Sequence, residues 1–360
     1  MASLEKIRTK LLAGEEISLE EGVALYQHPD VFGVCSVANS YREKLHGNTT
    51  YYNHNLHLNS TNVCEASCMF CSFARLEEGM PQAYTMDIIK SRKWISERLH
   101  PSMTEIHLVN GLHSGLSFEY YIDLLQMIRS EFPQLHIKGF TAVEIHYFAE
   151  KFDMSYEQVL TKLVQAGLGS LPGGGAEIFA PRFRKKICRD KADANQWLKV
   201  HEVAHSLNLK SNCTMLYGTI ETIEERVEHL IMLREQQKKS GGFQAFISLA
   251  FHNDGNRLKN IPEPTAIDDL RTIAISRIML NNIPHIKGYW IMLGTKIAQL
   301  AQISGANDID GTVTEEKIYH MAGSDSPNAL TLSELKRLIT EAGRVPVERT
   351  TTYEEIERAA

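Results

Sequence analysis

From residue 51 onward, short runs rich in β-branched and aromatic residues alternate with longer segments whose apolar residues recur at helical spacing. This alternation is typical of βα units around a parallel sheet, and eight such units predict an α/β fold of the (β/α)8 TIM-barrel type. The repeat also spans close to the ~250 residues that such a barrel needs. The predicted strands are Tyr51–Asn59, Glu105–Asn110, His136–Phe140, Leu168–Leu171, Lys210–Leu216, Gln244–Phe251, His285–Met292 and Ile309–Val313.

A helix candidate follows nearly every predicted strand, and several begin with a capping box. Ser3–Leu45 also predicts helices, with Ser18 and Glu21 placed as a capping box. We therefore expect an N-terminal helical extension (1–50), the barrel (51–323) and a C-terminal helical segment packed on the barrel (324–360). The clearest helices are Phe118–Phe132, Ser155–Ala166, Asp193–Leu207, Thr222–Gln237, Ala266–Asn281 and Ser333–Ala342.

The charge pattern narrows the partners expected for this chain. Its net charge of -6 comes from interspersed acids and bases, without a Lys/Arg-rich run to follow a phosphate backbone, so we expect no nucleic-acid partner. Residues 1–17 are charged, and no stretch approaches the ~20 apolar residues that span a bilayer. Three of the six cysteines crowd together, which favours ligation in a reducing compartment over a disulfide framework. We expect a cytoplasmic protein without a membrane partner.

The crowded cysteines are Cys64, Cys68 and Cys71, in a Cys-x3-Cys-x2-Cys arrangement on a loop directly after the first predicted strand. Three thiolates can hold three corners of a cubane iron–sulfur cluster and leave one iron open to a small chelating molecule. The alternative is a structural zinc loop completed by His54 or His57, although structural zinc sites usually have paired spacings. The isolated cysteines are interpreted as buried small hydrophobes: Cys35, Cys188 and Cys213.

Unusual residues follow the other predicted strands, and barrel active sites lie at these strand ends. Gly173, Gly174 and Gly175 permit close approach of a ligand, and Glu177 after them can accept hydrogen bonds from ribose hydroxyls. The alternative is an ordinary flexible loop. Asn110 with its following residue Gly111 forms either a simple turn or part of a ligand site.

Each of several further polar residues has two possible interpretations, one structural and one as part of a binding site. Thr141 and Glu144 either cap a helix or enter the pocket. His252 and Arg257, beyond the sixth predicted strand, either hold a substrate carboxylate or belong to a solvated surface loop. The same choice applies to two further arginines, Arg75 and Arg182.

The cysteine loop, with Phe70 just before its last cysteine, resembles the hallmark of the radical S-adenosylmethionine (SAM) superfamily. The resemblance implies a [4Fe-4S] cluster on Cys64, Cys68 and Cys71, with the amino and carboxylate groups of SAM on the fourth iron. It further implies one-electron cleavage of SAM to a 5'-deoxyadenosyl radical. The strand end at Asn110-Gly111 is expected to receive the methionyl amino group.

The segments TAVEI, SLPGGGAEIF, MLYG, GGFQAFISLAFH, YWIMLG and GTVTEEKIYHMAG resemble the aminofutalosine synthase family of the futalosine route to menaquinone. Cyclic dehypoxanthine futalosine synthases and deazaflavin-forming synthases resemble this chain in the cysteine loop and GGGAEI, so residues 290–294 and 315–320 carry the distinction. The sequence departs from the usual pattern at Asn110, where relatives usually carry glycine, and at Ser114-Gly115, where they often carry Pro-Asp.

This resemblance implies that the adenosyl radical adds to the enolpyruvyl double bond of 3-[(1-carboxyvinyl)oxy]benzoate. Aryl migration and loss of a carboxyl carbon as bicarbonate would then give 6-amino-6-deoxyfutalosine, with SAM consumed as a co-substrate. The implied partners are this aromatic dicarboxylate and a one-electron reductant such as flavodoxin or ferredoxin, and the chain is compatible with a homodimer. The alternatives are a related radical enzyme that abstracts hydrogen and a non-catalytic iron–sulfur electron carrier.

Overall fold

A computed structural model describes residues 3–358 of the chain. Its N-terminal helices are α1 (Leu4–Leu12), α2 (Leu19–Tyr26) and α3 (Val31–His46). The predicted capping box at Ser18 and Glu21 is present at the start of α2. These helices pack on one another and on two helices of the barrel shell, so they form an extension against its outer face.

The strands of the structure are all joined in one parallel sheet. The first predicted strand is divided at His54 into two short strands, of which one pairs with the last barrel strand and the other with the next strand along the chain. A further bridge joins Leu56, in the second of these two short strands, to Thr314, just after the last barrel strand, so the sheet closes on itself and the predicted (β/α)8 barrel is confirmed. The strands are β1 (Thr49–Asn53), β2 (Asn55–Leu58), β3 (Glu105–Leu108), β4 (His136–Gly139), β5 (Ser170–Leu171), β6 (Lys210–Tyr217), β7 (Phe243–Ala250), β8 (His285–Lys287), β9 (Asp308–Gly311) and β10 (Val345–Glu348).

Helices surround the barrel, and the capping boxes predicted at Ser155 and Thr222 are present. Within residues 3–358, no helix is long and apolar enough to cross a membrane. The remaining helices are α4 (Ile88–Arg98), α5 (Phe118–Glu131), α6 (Ala142–Lys151), α7 (Tyr156–Ala166), α8 (Pro181–Ile187), α9 (Ala194–Ser206), α10 (Ile223–Ser240), α11 (Ala266–Met279), α12 (Trp290–Ala301) and α13 (Leu332–Glu341).

Two elements differ from the sequence prediction. The seventh predicted strand extends to Met292, but β8 ends at Lys287 and α12 begins at Trp290. The residues between are buried on all sides, and a continuous apolar run does not separate a buried strand from a buried helix. The C-terminal segment contains β10 as well as α13, and β10 pairs with β1 at the edge of the sheet. Its proline, Pro346, is tolerated there because an edge strand can leave one side unpaired.

The inward and outward faces of the first strands differ in chemistry. Leu56, Ile106 and Ile137 are fully or almost fully buried between the strands and the helices. The residues that alternate with them are polar and point toward the barrel axis, as the period-2 geometry of a strand requires. The fold therefore places a set of polar side chains inside the barrel.

Candidate active site

A cavity of about 240 Å³ occupies the barrel interior and reaches the C-terminal ends of the strands. We call the end that contains Cys64, Cys68 and Cys71 the mouth. We call the end formed by inward-facing strand residues the floor. Between them the wall is largely apolar, with Val109, Ile247, Leu249, Tyr289 and Tyr319.

The three cysteines all line this cavity, at the mouth. Their loop is fixed by backbone hydrogen bonds: the Cys64 amide donates to the Arg75 carbonyl at 2.8 Å, and the Met69 amide donates to the Ile187 carbonyl at 2.9 Å. The Ala74 amide lies 3.4 Å from the Cys71 Sγ and donates to it. The loop is therefore anchored both to itself and to α8.

Arg75 and Arg257 donate hydrogen bonds to backbone carbonyls of the cysteine loop. The Arg75 guanidinium donates to the carbonyls of Ser72 and Ala74, at 2.9 and 3.0 Å. The Arg257 guanidinium donates to the Ser67 carbonyl. Both arginines line a groove behind the cysteine loop. Their contacts argue against a role in holding a substrate carboxylate and support one in shaping the cysteine loop.

His252 and Arg182 also have protein partners that account for them. The His252 Nε2 lies 3.0 Å from the Met292 carbonyl, and Arg182 forms an ion pair with Glu225 at 2.6 Å. These contacts argue against a substrate-binding role for either residue. The sequence left this choice open because a polar loop can face either solvent or a neighbouring segment.

The three thiols fit an iron–sulfur cluster better than zinc. Among residues 3–358, no group of three or more His, Cys, Asp or Glu side chains is arranged to hold a single metal ion. A zinc ion draws its ligands to one point, whereas each iron of a cubane takes its own thiolate. His54, one predicted zinc ligand, lies instead 2.7 Å from the Ser102 hydroxyl. Burial raises the pKa of Cys64 and Cys68, and a bound metal would favour the ionised thiolates.

The glycine loop consists of Gly173, Gly174 and Gly175. Packing against neighbouring elements leaves no room for larger residues at Gly173 and Gly175. A Cβ on Gly173 would lie 2.8 Å from the Cys213 backbone, and one on Gly175 would lie 2.4 Å from the Val143 side chain. Gly175 also has a φ of 88°, which L-residues with side chains rarely adopt. All three glycines line the cavity, so the loop offers backbone without side chains to a ligand.

Glu177, at the end of this loop, has a partner that the sequence did not suggest. Its Oε1 lies 2.6 Å from the Lys191 Nζ, and both side chains are largely buried at the cavity. Burial opposes the charge on Lys191, but Cys68 and Glu177 nearby raise its pKa well above the usual value. A lysine in a polar segment carries no local signal of this role, because the contact depends on how that segment folds over the mouth.

Thr141, Glu144 and Asn110 form one connected group. The predicted helix cap is present, because Thr141 and Glu144 form a capping box at the start of α6. Both residues also line the cavity. A helix cap and a position in the pocket, which the sequence offered as alternatives, therefore occur together. Glu144 Oε2 accepts from the Thr141 backbone amide, and Glu144 Oε1 accepts from the Asn110 backbone amide at 3.0 Å. Burial raises the pKa of Glu144 to about 7.

Within residues 3–358, the side chain of Asn110 has an unpartnered donor nitrogen, which carries two N–H groups. Its Oδ1 accepts from the Ser60 amide at 2.6 Å, while its buried Nδ2 has no hydrogen-bond partner among the described residues. A Cβ on Gly111 would lie 2.2 Å from the Val63 carbonyl oxygen, so this glycine allows the strand end to pack on the cysteine loop. The strand end thus offers both a close backbone approach and an unused amide N–H.

The floor contains residues that the sequence analysis did not select as a site, apart from His57, which was considered as a zinc ligand. Lys138 pairs with Glu105 at 2.5 Å, and Lys287 pairs with Asp310 at 3.1 Å. His57 and His107 lie beside Lys138 and line the cavity. These residues come from different strands, so only the strand register brings them together.

A parallel (β/α)8 barrel with three thiols on the loop after its first strand defines the class of radical SAM enzymes. The model of the radical SAM superfamily matches residues 58–233, and that of the CofH/MqnC C-terminal region matches residues 240–360. The solved structure of methylornithine synthase has the same fold, with a TM-score of 0.74, 15% identity, and coverage of 94% of this chain and 97% of that one.

Within this class, the chain belongs to the aminodeoxyfutalosine synthase family. It is 46% identical to aminodeoxyfutalosine synthase of Thermus thermophilus, over 97% of this chain and 95% of that protein. The identity to aminodeoxyfutalosine synthase of Streptomyces coelicolor is 42%, over 97% of this chain and 93% of that protein. Cyclic dehypoxanthine futalosine synthase of Streptomyces coelicolor is 35% identical, over 99% of this chain and 89% of that protein.

The two matched family regions meet inside the barrel. The gap between them, residues 234–239, lies in α10. The strands on either side of that helix, β6 and β7, pair along most of their length. The two regions are therefore halves of one barrel. The boundaries predicted after residues 50 and 323 stay predictions.

Proposed function

We propose that this enzyme forms 6-amino-6-deoxyfutalosine from SAM and 3-[(1-carboxyvinyl)oxy]benzoate in menaquinone biosynthesis. The observation that carries the proposal is the gradient of similarity across almost the whole chain. Identity is 46% and 42% to two aminodeoxyfutalosine synthases, 36% to a 5-amino-6-(D-ribitylamino)uracil–L-tyrosine 4-hydroxyphenyl transferase and 35% to a cyclic dehypoxanthine futalosine synthase. The radical addition, aryl migration and decarboxylation expected from the sequence belong to this proposal.

We propose Cys64, Cys68 and Cys71 as the ligands of a [4Fe-4S] cluster. When bound with SAM, the cluster supplies the electron that generates the 5'-deoxyadenosyl radical. The common position of the three thiols at the mouth supports this assignment, as does the anchoring of their loop by Arg75 and Arg257. Anchoring matters because a ligand set held in advance loses less entropy on binding.

The SAM site is proposed to lie across the mouth, between the cysteine loop and the glycine loop. Gly173, Gly174 and Gly175 would receive the ligand against bare backbone, and the free Nδ2 of Asn110 would donate to it beside Gly111. Glu177 would accept hydrogen bonds from the ribose hydroxyls. The ion pair with Lys191 supports this role, because it fixes the orientation of the Glu177 carboxylate in a buried position.

The largely apolar wall supports a reaction through a carbon radical. Side chains such as Ile247 and Leu249 keep water away and hold the two reactants at a fixed separation. Orientation by the protein counts more here than acid–base catalysis, since the difficult chemistry comes from the bound cofactor and co-substrate. Thr141 and Glu144 line the same space and stay candidates for contact with substrate.

The proposed partners follow from the same chemistry. A one-electron reductant such as flavodoxin or ferredoxin would serve the cluster. All six cysteines are free thiols, which supports the expected reducing, cytoplasmic compartment. The homodimer stays a prediction.

A comparison of substrates tests the proposal. The protein is reconstituted anaerobically with iron and sulfide, reduced with dithionite, and given SAM with one of three substrates: the enolpyruvyl benzoate, dehypoxanthine futalosine, or tyrosine with 5-amino-6-(D-ribitylamino)uracil. We expect product only from the enolpyruvyl benzoate. Product from either of the other two would replace the proposed function by that of the corresponding relative. An absence of any adenosyl product, without a spectral change on adding SAM, would contradict the radical assignment.

A further inference from the structure

Three basic side chains form one lateral row across the barrel floor. His57 of β2 is in register with His107 of β3, and His107 is in register with Lys138 of β4. All three line the central cavity, and the rings of the two histidines lie 4.5 Å apart between centroids. Neighbouring strands thus present two imidazoles and an ammonium group to the same point of the cavity.

The two imidazoles have unused hydrogen-bonding capacity. The His107 Nε2 is buried without a hydrogen-bond partner among the described residues. Burial lowers the pKa of His57 and holds that of His107 well below its usual range, and Lys138 nearby acts in the same direction on both. Both rings are therefore neutral near pH 7, and each carries one N–H that can be donated to a ligand. A buried imidazole nitrogen without a partner is unfavourable, and a bound ligand with a complementary polar group would satisfy it.

The acidic groups near this row have cationic partners. Glu316, whose charge acts on His57, forms an ion pair with His320 at 3.4 Å, and the two acids of the floor are paired as well. Glu105 pairs with Lys138, and Asp310 pairs with Lys287. The Asn55 Nδ2 lies 3.3 Å from a carboxylate oxygen of each acid, Glu105 Oε1 and Asp310 Oδ1. Because both acids have cationic partners, the floor does not repel an anion above it as two free carboxylates would.

The region above the row suits an aromatic ring. Val109 of the β3 strand end, Ile247 and Leu249 of β7, and Tyr289 form an apolar wall between the row and the mouth. A flat ligand that extends along the barrel axis would have its ring against this wall. One of its ends would reach the mouth, and the other would reach the two imidazoles.

We propose that His57 and His107 form a carboxylate-binding subsite that takes the ring carboxylate of an aromatic dicarboxylate substrate. This inference deepens the proposed function and rests on it. The subsite holds the end of the substrate that does not react, so the enolpyruvyl group is directed to the mouth. His57 and His107 are positioning residues that also select substrates with an acidic group on the ring.

Direct binding without reductant tests the subsite, since no turnover is required. Calorimetry would compare 3-[(1-carboxyvinyl)oxy]benzoate with (1-carboxyvinyl)oxybenzene, which lacks only the ring carboxylate. The variants are His57→Leu and His107→Leu, which remove the N–H donors, and His57→Gln and His107→Gln, which keep one. The matched control is His54→Leu, because His54 lies between β1 and β2, close to His57 in the chain, and contacts Ser102. Thermal unfolding checks that each variant is folded, and the glutamine variants carry the test if a leucine variant is not.

We expect the leucine variants to bind the dicarboxylate about 10- to 100-fold more weakly than the unmodified protein, as for hydrogen bonds to a charged group. Their affinity for the ligand without the ring carboxylate should change by less than about threefold, and the glutamine variants should recover part of the loss. The control should bind both ligands normally. Equal weakening for both ligands, or no weakening for either, would overturn the subsite.

The outcomes separate this inference from the proposed function. If the protein binds the dicarboxylate through the histidines but forms no adenosyl adduct from it, the subsite stands and the proposed function fails. If the adduct forms and the histidine variants bind the dicarboxylate normally, the proposed function stands and the subsite fails. If the unmodified protein does not bind the dicarboxylate, both fail.

Discussion

At the mouth of the cavity the distinctive side chains lie on loops, whereas at the floor they lie on strands. The three cysteines of the mouth lie close together in the chain, and so do its three glycines. Hydrogen bonds to backbone carbonyls hold the cysteine loop in place. The floor residues come from β2, β3, β4, β8 and β9 and are held by charge pairs in the barrel interior. Loops can change to suit a ligand, while the strands hold the far end of the substrate at a fixed depth.

The comparison predicts that changes at the mouth affect cofactor binding, whereas changes at the floor affect stability and substrate binding. Variants at the two ends of the cavity test whether these effects are separate.

The largest effect is expected for Cys68→Ala at the mouth. Loss of one of three thiolates should abolish cluster binding and reduce activity to background, since the remaining two cannot hold the cluster. Iron content and visible absorption after anaerobic reconstitution would be measured together with product. The control is Cys35→Ala, a buried thiol of α3, which should keep both. A Cys68→Ala protein with normal iron content and activity would refute the ligand assignment.

At the floor, Lys287→Met should destabilise the fold by about 3–5 kcal/mol, because it leaves Asp310 buried without its cationic partner. Urea unfolding would measure this loss, and the double variant Lys287→Met/Asp310→Asn should recover part of it. Arg337→Met, which breaks an exposed pair with Glu341, should cost less than about 1 kcal/mol. If Lys287→Met is no more destabilising than this surface control, the floor is not held by its charge pairs.

Glu177→Gln at the mouth should weaken SAM binding about tenfold, as for the loss of one charged hydrogen-bond acceptor. Cluster content should stay normal, because the cysteine loop keeps its own anchors. Equilibrium dialysis with labelled SAM and iron analysis would be performed on the same sample, with exposed Glu224→Gln of α10 as the control. A loss of iron as large as the loss of SAM affinity would mean that Glu177 supports the loop and not the ligand.

The smallest effect concerns His320, beside the cavity residue Glu316. The hydrogen bond to Glu316 raises the pKa of His320 from 6.5 to about 9. Since the folded pKa is above the unfolded one, the stabilisation is fully present below pH 6.5 and is lost as pH rises through 9. After allowance for solvent screening, we expect a loss of about 1 kcal/mol over that range. Unfolding measured at pH 6.5 and 9 should show this loss, and His320→Gln should remove it. An unchanged pH dependence in the variant would assign the effect to another group.

The same contrast explains what the sequence could predict. The barrel was predictable because each βα unit has a local period, and the cysteine loop because its ligands are close in the chain. The row of His57, His107 and Lys138 was not, because it depends on strand register over long separations. Lys191 was missed for a similar reason. The sequence left the roles of Arg75 and Arg257 open, because loop carbonyls and a substrate carboxylate can use the same guanidinium donors.

The position of β10 was also beyond the sequence pattern. A short strand that contains proline has almost no local signal, and only its pairing with β1 defines it. The glycine loop shows the intermediate case. Its position after a barrel strand was predictable from the sequence, but the packing that requires Gly173 and Gly175 depends on the neighbouring strand and helix.

The most direct test of the account follows the adenosyl carbons of SAM. The reduced enzyme would be given the enolpyruvyl benzoate and SAM with a carbon-13-labelled ribose, and the products would be analysed by mass spectrometry. If the adenosyl radical adds to the substrate, we expect one main product that carries both the labelled ribose and the aromatic ring, with bicarbonate released. Label found only in free 5'-deoxyadenosine, with the benzoate unchanged or merely dehydrogenated, would contradict it.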